Sequence, residues 1–230
     1  MKHKNIIFSI AVDGSSASGK TTGSKFIAKK FNFKLLTSGK LYRYIAYKII
    51  QNKNRYNKNF IKNQSKKITI KKLNNIKLYG EEVTRLAAII AKKKYIRSSL
   101  KTFQINFKNK NKKVIIEGRD IASKIIPDAD LKIFFKCSSR EKAKRRLKEF
   151  KKINKKITLR EVKKSLKTRD FSDKNRKESP LLFVKGAVLV DTTKLTLKQM
   201  RVKLFNLVKR SLLKKYGNIQ KLKFSSDKRI

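Results

Sequence analysis

Gly14-Ser15-Ser16-Ala17-Ser18-Gly19-Lys20-Thr21 matches G-x-x-x-x-G-K-[ST] at every defined position. Such a loop binds polyphosphate with its backbone. Successive N–H groups close around a β-phosphate, and the helix that follows adds about half a positive charge at its N-terminus. Lys20 reaches the β and γ oxygens, Thr21 offers a hydroxyl to Mg2+, and Thr22 is counted with the loop as a nucleotide-binding residue. The cofactor this chemistry calls for is Mg2+ with a nucleoside triphosphate. Asp13 either orients a magnesium-bound water or ends the preceding strand, and the sequence leaves both readings open.

A phosphate loop specifies the donor and leaves the acceptor undetermined. Three charged clusters bear on the acceptor. Ser38-Gly39-Lys40-Leu41-Tyr42-Arg43 follows a short apolar run, and Gly118-Arg119-Asp120 follows another, at a strand end where open α/β sheets bind ligands. Arg169-Asp170-Phe171-Ser172-Asp173-Lys174-Asn175-Arg176 spaces two arginines seven apart, the pattern of a lid over phosphates. Arginine occurs 14 times against 50 lysines, so its placement is informative: a guanidinium makes bidentate contacts that an ammonium cannot. The single histidine, His3, lies at the N-terminus, away from every cluster.

Hydrophobic patterning supplies the elements that hold these residues. Asn5–Val12 reads as a strand, residues 14–19 as a loop, and Lys20–Phe31 as a helix with Phe26, Ile27 and Phe31 at helical spacing. A second strand at Lys34–Thr37 leads into a helix bearing Leu41, Ile45 and Ile49. This alternation predicts a parallel sheet. From Gln51 to Lys112 the chain turns polar and reads as a mostly helical insert. Strands return at Lys113–Glu117, Leu131–Lys136 and Ala187–Asp191, and Ser138-Ser139 with Glu141 marks a helix start. Thr158–Lys167 reads as helical, Thr168–Pro180 as irregular, and Leu197–Leu213 as an amphipathic helix. The expected organisation is a core at 1–50 and 113–214, an insert at 51–112, a lid at 168–180 and a flexible basic tail at 215–230.

Composition bounds the function. With 64 Lys+Arg against 15 Asp+Glu, the net charge of +49 draws polyanions, and nonspecific nucleic-acid adhesion with a steep salt dependence is expected. The lysines are nevertheless dispersed along the chain, and a 39% hydrophobic content argues for a folded domain. One cysteine, Cys137, excludes an internal disulfide and a cysteine metal cluster and fits a reducing compartment. No run approaches the roughly 18 apolar residues of a membrane span. The expectation is a cytoplasmic monomer without a membrane partner.

Taken in order, VDGSSASGKTT, TSGKLYR, IIEGRD with PDADLKIFF, REKAKRR, RDFSDKNR and AVLVDTTKLTLKQM resemble the bacterial-type cytidylate kinases of the nucleoside monophosphate kinase family, over about residues 5–210. The resemblance implies a P-loop NTPase-type α/β fold: a five-stranded parallel sheet flanked by helices, an inserted helical NMP-binding domain and a lid. It implies transfer of the γ-phosphoryl group of ATP, bound with Mg2+, to CMP or dCMP. Ser38 and Asp120, with Arg97 and Arg176, would surround the cytosine edge; Tyr42, Arg43 and Arg119 would hold the acceptor phosphate. Arg169 and Asp173 would reach the ribose or the transferring group, and Arg145 and Arg146 would lie on the ATP side. Lys20, Arg119, Arg169 and Arg176 form the implied catalytic set.

The chain departs from the family pattern in places. Ser15 stands at the usual proline, Ala17 at the loop's central glycine, Glu117 at an aspartate, Ala122-Ser123 at a Gly-Thr pair, and Ala88 at a serine near the ribose; the insert is short between Lys72 and Glu81. A phosphate acceptor has its second pKa near ~6 and needs no general base at neutral pH, so catalysis is positioning. Two rival readings are a kinase for another small acceptor such as shikimate, with Asp120 as base, and a basic nucleic-acid-binding P-loop protein.

Overall fold

The computed structural model describes residues 6–151 and 157–217. His3 and most of the expected tail, 218–230, lie outside them. The elements run β1 (Phe8–Gly14), α1 (Lys20–Phe31), β2 (Lys34–Thr37), α2 (Ser38–Gln51), α3 (Lys58–Lys66), α4 (Glu81–Ile90), α5 (Lys94–Asn109), β3 (Lys113–Gly118), β4 (Leu131–Lys136), α6 (Ser139–Lys151), α7 (Leu159–Asn175), β5 (Ala187–Asp191) and α8 (Leu197–Tyr216). The sheet is ordered β2-β3-β1-β4-β5, and β1 pairs in parallel with β3 and β4, as β4 does with β5.

β1 is central and buried at every position, which is why FSIAVDG carries no polar alternation. It runs on to Gly14, past the expected end at Val12, because Asp13 pairs with Gly118 and Gly14 with Phe135. Phe8, Ile10 and Val12 pack with Ile133 and Phe135 of β4, Ile27 of α1, and Leu204 and Val208 of α8. Phe135 is fully buried there, and truncating it to alanine would cost about 3–5 kcal/mol. This core fixes the carboxyl ends of β1, β3 and β4, and so the residues that follow them.

Two helices also run past their expected ends. α7 continues to Asn175, so the segment expected to be irregular from 168 is helical over most of its length. Residues 159–175 contain neither glycine nor proline, Thr158 and Glu161 close a capping box at the start, and the break comes only near Ser179, at φ 53°, and Pro180. α8 starts on a second capping box, Thr196 with Gln199, and runs through Tyr216, beyond the expected end of the core at 214. Lys215 reaches Asp130 at 2.5 Å, and the Tyr216 hydroxyl accepts from the Ile7 amide at 3.0 Å, so these residues belong to the fold.

The chain divides into two compact units, one holding the chain up to Leu35 and from Lys112 onward, the other Leu36–Asn111. The second unit is helical, as its patterning predicts, but begins at Leu36 rather than Gln51. α2 belongs with it because its buried face, including Leu41, Ile45 and Ile49, packs against α4.

Candidate nucleotide site at the strand ends

The loop between β1 and α1 forms because its residues accept unusual backbone angles. Gly14 lies at φ 151°, and a Cβ there would come within 2.5 Å of the Phe135 carbonyl. Gly19, at φ 89°, caps α1 with no acidic residue in the first helical turn, leaving the positive helix end to an anion. Ala17 takes the same left-handed region at φ 55°, where glycine is the low-cost residue. Ser18 Oγ donates to the Ser15 carbonyl at 2.9 Å, closing the turn.

Lys20 Nζ donates to the Ser15 carbonyl at 3.3 Å. Burial, and next the charge of Arg119, pull the Lys20 pKa down to about 7. Asp13 accepts from the Ile121 amide at 2.9 Å on one oxygen and the Ala122 amide at 2.8 Å on the other. Burial raises its pKa to about 6 against the pull of those two amides. Asp13 thereby anchors the turn after β3 from within β1. Thr21 Oγ1 donates instead to Glu117 Oε2 at 3.0 Å, while Glu117 Oε1 is buried without a hydrogen-bond partner among the described residues.

The third strand's end and α7 supply an arginine cluster. Arg119 donates from Nε to Asp173 Oδ2 at 2.9 Å and from its terminal nitrogen to Ser16 Oγ at 3.0 Å. Arg176 donates to the other Asp173 oxygen at 3.2 Å and to the Ser179 carbonyl at 2.6 Å. Arg169 is close enough for its charge to act on Lys20 and Asp173. Asp120 is buried beside them and pushes Asp13 upward. The structure therefore brings Lys20, Arg119, Arg169, Asp173 and Arg176 to one place. Sequence reasoning gave no role to two further members: Asp170 accepts from the Ser16 amide at 3.3 Å and pairs with buried Lys142.

On the other side of the loop lies a cleft of about 280 Å3 lined by Gly19, Thr22, Arg145, Leu195, Leu197 and Met200 among others. Of the two arginines expected on the ATP side, Arg145 lines it and Arg146 is not among the lining residues. Consecutive helical residues point about 100° apart, and Arg146 pairs with Glu149 at 2.7 Å over the Phe150 ring on an open helix face. Thr192, also in the cleft wall, went unnoticed in the sequence, although it directly follows a strand at the sheet's carboxyl edge.

In the helical unit, Ser38 begins α2 and is buried. Arg97, itself buried, lies 5.5 Å from the centre of the Tyr42 ring and donates to the Ala91 carbonyl at 2.8 Å. Arg43 donates to Thr84 Oγ1 at 2.8 Å and the Leu78 carbonyl at 3.1 Å, with Tyr79 beside it at 5.1 Å. Ala88 is exposed on α4 next to buried Ala87.

Sheet order and phosphate loop together define a P-loop NTPase-type α/β protein. The model of the cytidylate kinase family matches residues 10–210, and the chain belongs to that family. A cytidylate kinase of Fusobacterium nucleatum subsp. nucleatum is 39% identical, the match covering 85% of this chain and 94% of that one. One from Mycoplasmoides gallisepticum is 34% identical over 88% and 94%, and one from Rickettsia rickettsii 35% over 89% and 93%. Among solved structures, an uncharacterized protein from Eubacterium ventriosum ATCC 27560 shares the fold, with a TM-score of 0.50 at 14% identity over 88% of this chain and 98% of that one. Among the described residues no helix is long and apolar enough to cross a membrane.

Proposed function

We propose that this member of the cytidylate kinase family transfers the γ-phosphoryl group of ATP to a phosphate oxygen of CMP or dCMP, giving ADP and the nucleoside diphosphate. The observation that carries the reading is Arg119, whose one guanidinium bonds both Ser16 of the phosphate loop and Asp173 of α7. A cation so placed sits beside the donor loop and can neutralise charge as two anions approach in line. Lys20 follows the transferring group, and Arg169 and Arg176 offer further charge to its oxygens. Ser38, Tyr42, Arg43, Arg97 and Asp120 are the proposed acceptor-side residues, and Arg145 with Thr22 the base side of ATP.

Mg2+ fits the residues present. Thr21 and Glu117 are hard oxygen donors, and the unpartnered Glu117 oxygen is what a metal-bound water would satisfy. When bound, the ion would screen the β and γ oxygens; Glu117 and Thr21 would hold it, and Asp13 would serve the fold. A location in the cytoplasm is part of the same reading. ADP release measured with ATP-Mg2+ and each of CMP, dCMP, UMP, AMP, GMP and shikimate tests the reading. Turnover highest with CMP or dCMP is expected; turnover highest with any other acceptor overturns it.

A further inference from the structure

Thr192 follows β5 and is fully buried, with its amide fixed to the Lys136 carbonyl at 2.9 Å. Arg145 is held flat against it. One terminal nitrogen donates to Thr192 Oγ1 at 2.9 Å, the other to the Thr192 carbonyl at 2.7 Å, and Nε to Glu141 at 3.2 Å. With every nitrogen engaged in its plane, the guanidinium has its faces left for stacking, and it lies over Gly19: a Cβ there would be 3.6 Å from it.

The Thr192 hydroxyl has one proton. Arginine can only donate, so Oγ1 accepts from Arg145 and must send its own proton elsewhere. Ser18, in the phosphate loop, has its carbonyl 2.9 Å away; the Lys136 carbonyl is more distant, at 3.3 Å. One hydroxyl thus joins the cleft's guanidinium to the loop that cradles phosphate.

We infer that Thr192 is a positioning residue for donor selection: it sets the Arg145 plane in register with the phosphate loop, so that a purine base and its polyphosphate are bound together rather than the polyphosphate alone. This rests on the reading of Arg145 as the base-side residue.

The test compares dissociation constants, by calorimetry with Mg2+, for ATP and for inorganic tripolyphosphate, which has no base. Thr192→Val keeps the shape and removes the hydroxyl. The preference for ATP over tripolyphosphate should fall about tenfold, the scale of one charge-assisted hydrogen bond. Thr192→Ser, which keeps the hydroxyl, should preserve the preference within about twofold, and this holds the test open should the valine variant fold poorly. Equal weakening of both ligands by Thr192→Val, or loss of the preference in Thr192→Ser, overturns the inference. Arg145→Ala separates the two levels. If it abolishes the preference while Thr192→Val does not, only the Thr192 inference fails; if it leaves the preference intact, the base-side reading fails and takes this inference with it.

Discussion

Arg119 Nε lies 2.9 Å from Asp173 Oδ2, and that single contact ties the end of β3 to α7. The same carboxylate takes Arg176, and the same guanidinium takes Ser16, so strand end, α7 and phosphate loop form one hydrogen-bonded array. Burial alone would raise Asp173, but Arg119, then Arg176 and Arg169, outweigh it and hold the carboxyl below its usual range. Two cations fixed by one anion keep their geometry as the substrate charge arrives.

Asp173→Asn removes that anion. Losing a charge-assisted contact worth about 1.5–3 kcal/mol should lower kcat/KM for CMP roughly ten- to hundredfold while leaving ATP affinity within about threefold. Steady-state kinetics and calorimetry measure the two. The folded-state pKa is depressed, so the stability Asp173 contributes is present above the unfolded carboxylate value and disappears as pH falls through the lower folded value. The acid limb of wild-type unfolding should therefore be steeper than that of Asp173→Asn in a pH series of urea melts.

Lys20 titrates near 7 in the free protein, so at pH 8 it is mostly neutral. ATP brings several negative charges against it and restores the proton. Calorimetry at pH 8 in buffers of differing ionisation enthalpy should show uptake of about one proton per ATP, absent in Lys20→Ala, whose turnover should drop by at least about a hundredfold. The sign for stability is the same as that of Asp173, because both groups titrate lower in the folded chain: between about 7 and 10.5 the unfolded chain binds the proton and the folded chain does not, so Lys20 makes stability rise with pH there. Removing the Arg119 charge raises the Lys20 pKa, and Arg119→Ala should reduce the proton uptake at pH 8.

What the sequence discloses follows the range of the interactions. The phosphate loop is a local object: Gly14, Gly19, Lys20 and Thr21 do their work within one turn and are legible from spacing alone. The pairing of Arg119 with Asp173, and of Thr192 with Arg145 and Ser18, joins residues distant in the chain, and no local pattern encodes it. Arg145 and Arg146 look alike in sequence and differ only because a helix turns them apart. The end of α7 was obscured because RDFSDKNR carries no apolar stripe; its helix is held by Asp173 and the arginines rather than by a core face.

Ala17 at φ 55° sits where an L side chain costs about 1–2 kcal/mol and glycine does not. Glycine gives back about 0.5–1 kcal/mol through the freer unfolded chain. Ala17→Gly should therefore be more stable by about 0.5–1 kcal/mol in urea unfolding, with ATP affinity unchanged because the loop's amides stay in place. A loss of stability would mean that the methyl group packs usefully in this loop.

Glu117 and Asp13 lie one register position apart on neighbouring strands, Glu117 opposite Val12 and Asp13 opposite Gly118, and their bonding separates their roles. Asp13 spends both oxygens on backbone amides, so Asp13→Asn, which offers one acceptor to two donors, should destabilise the fold by about 1–3 kcal/mol at neutral pH. Glu117 spends one oxygen on Thr21 and leaves the other buried without a hydrogen-bond partner among the described residues. Glu117→Gln should cost little stability without metal, yet raise the Mg2+ concentration needed for half-maximal activity about tenfold. Titration of Mn2+ into the ATP-bound protein, followed by electron paramagnetic resonance, reads the same change without turnover. If Glu117→Gln leaves Mn2+ affinity untouched and Asp13→Asn weakens it, the metal-side carboxylate is Asp13, and Glu117 serves the fold.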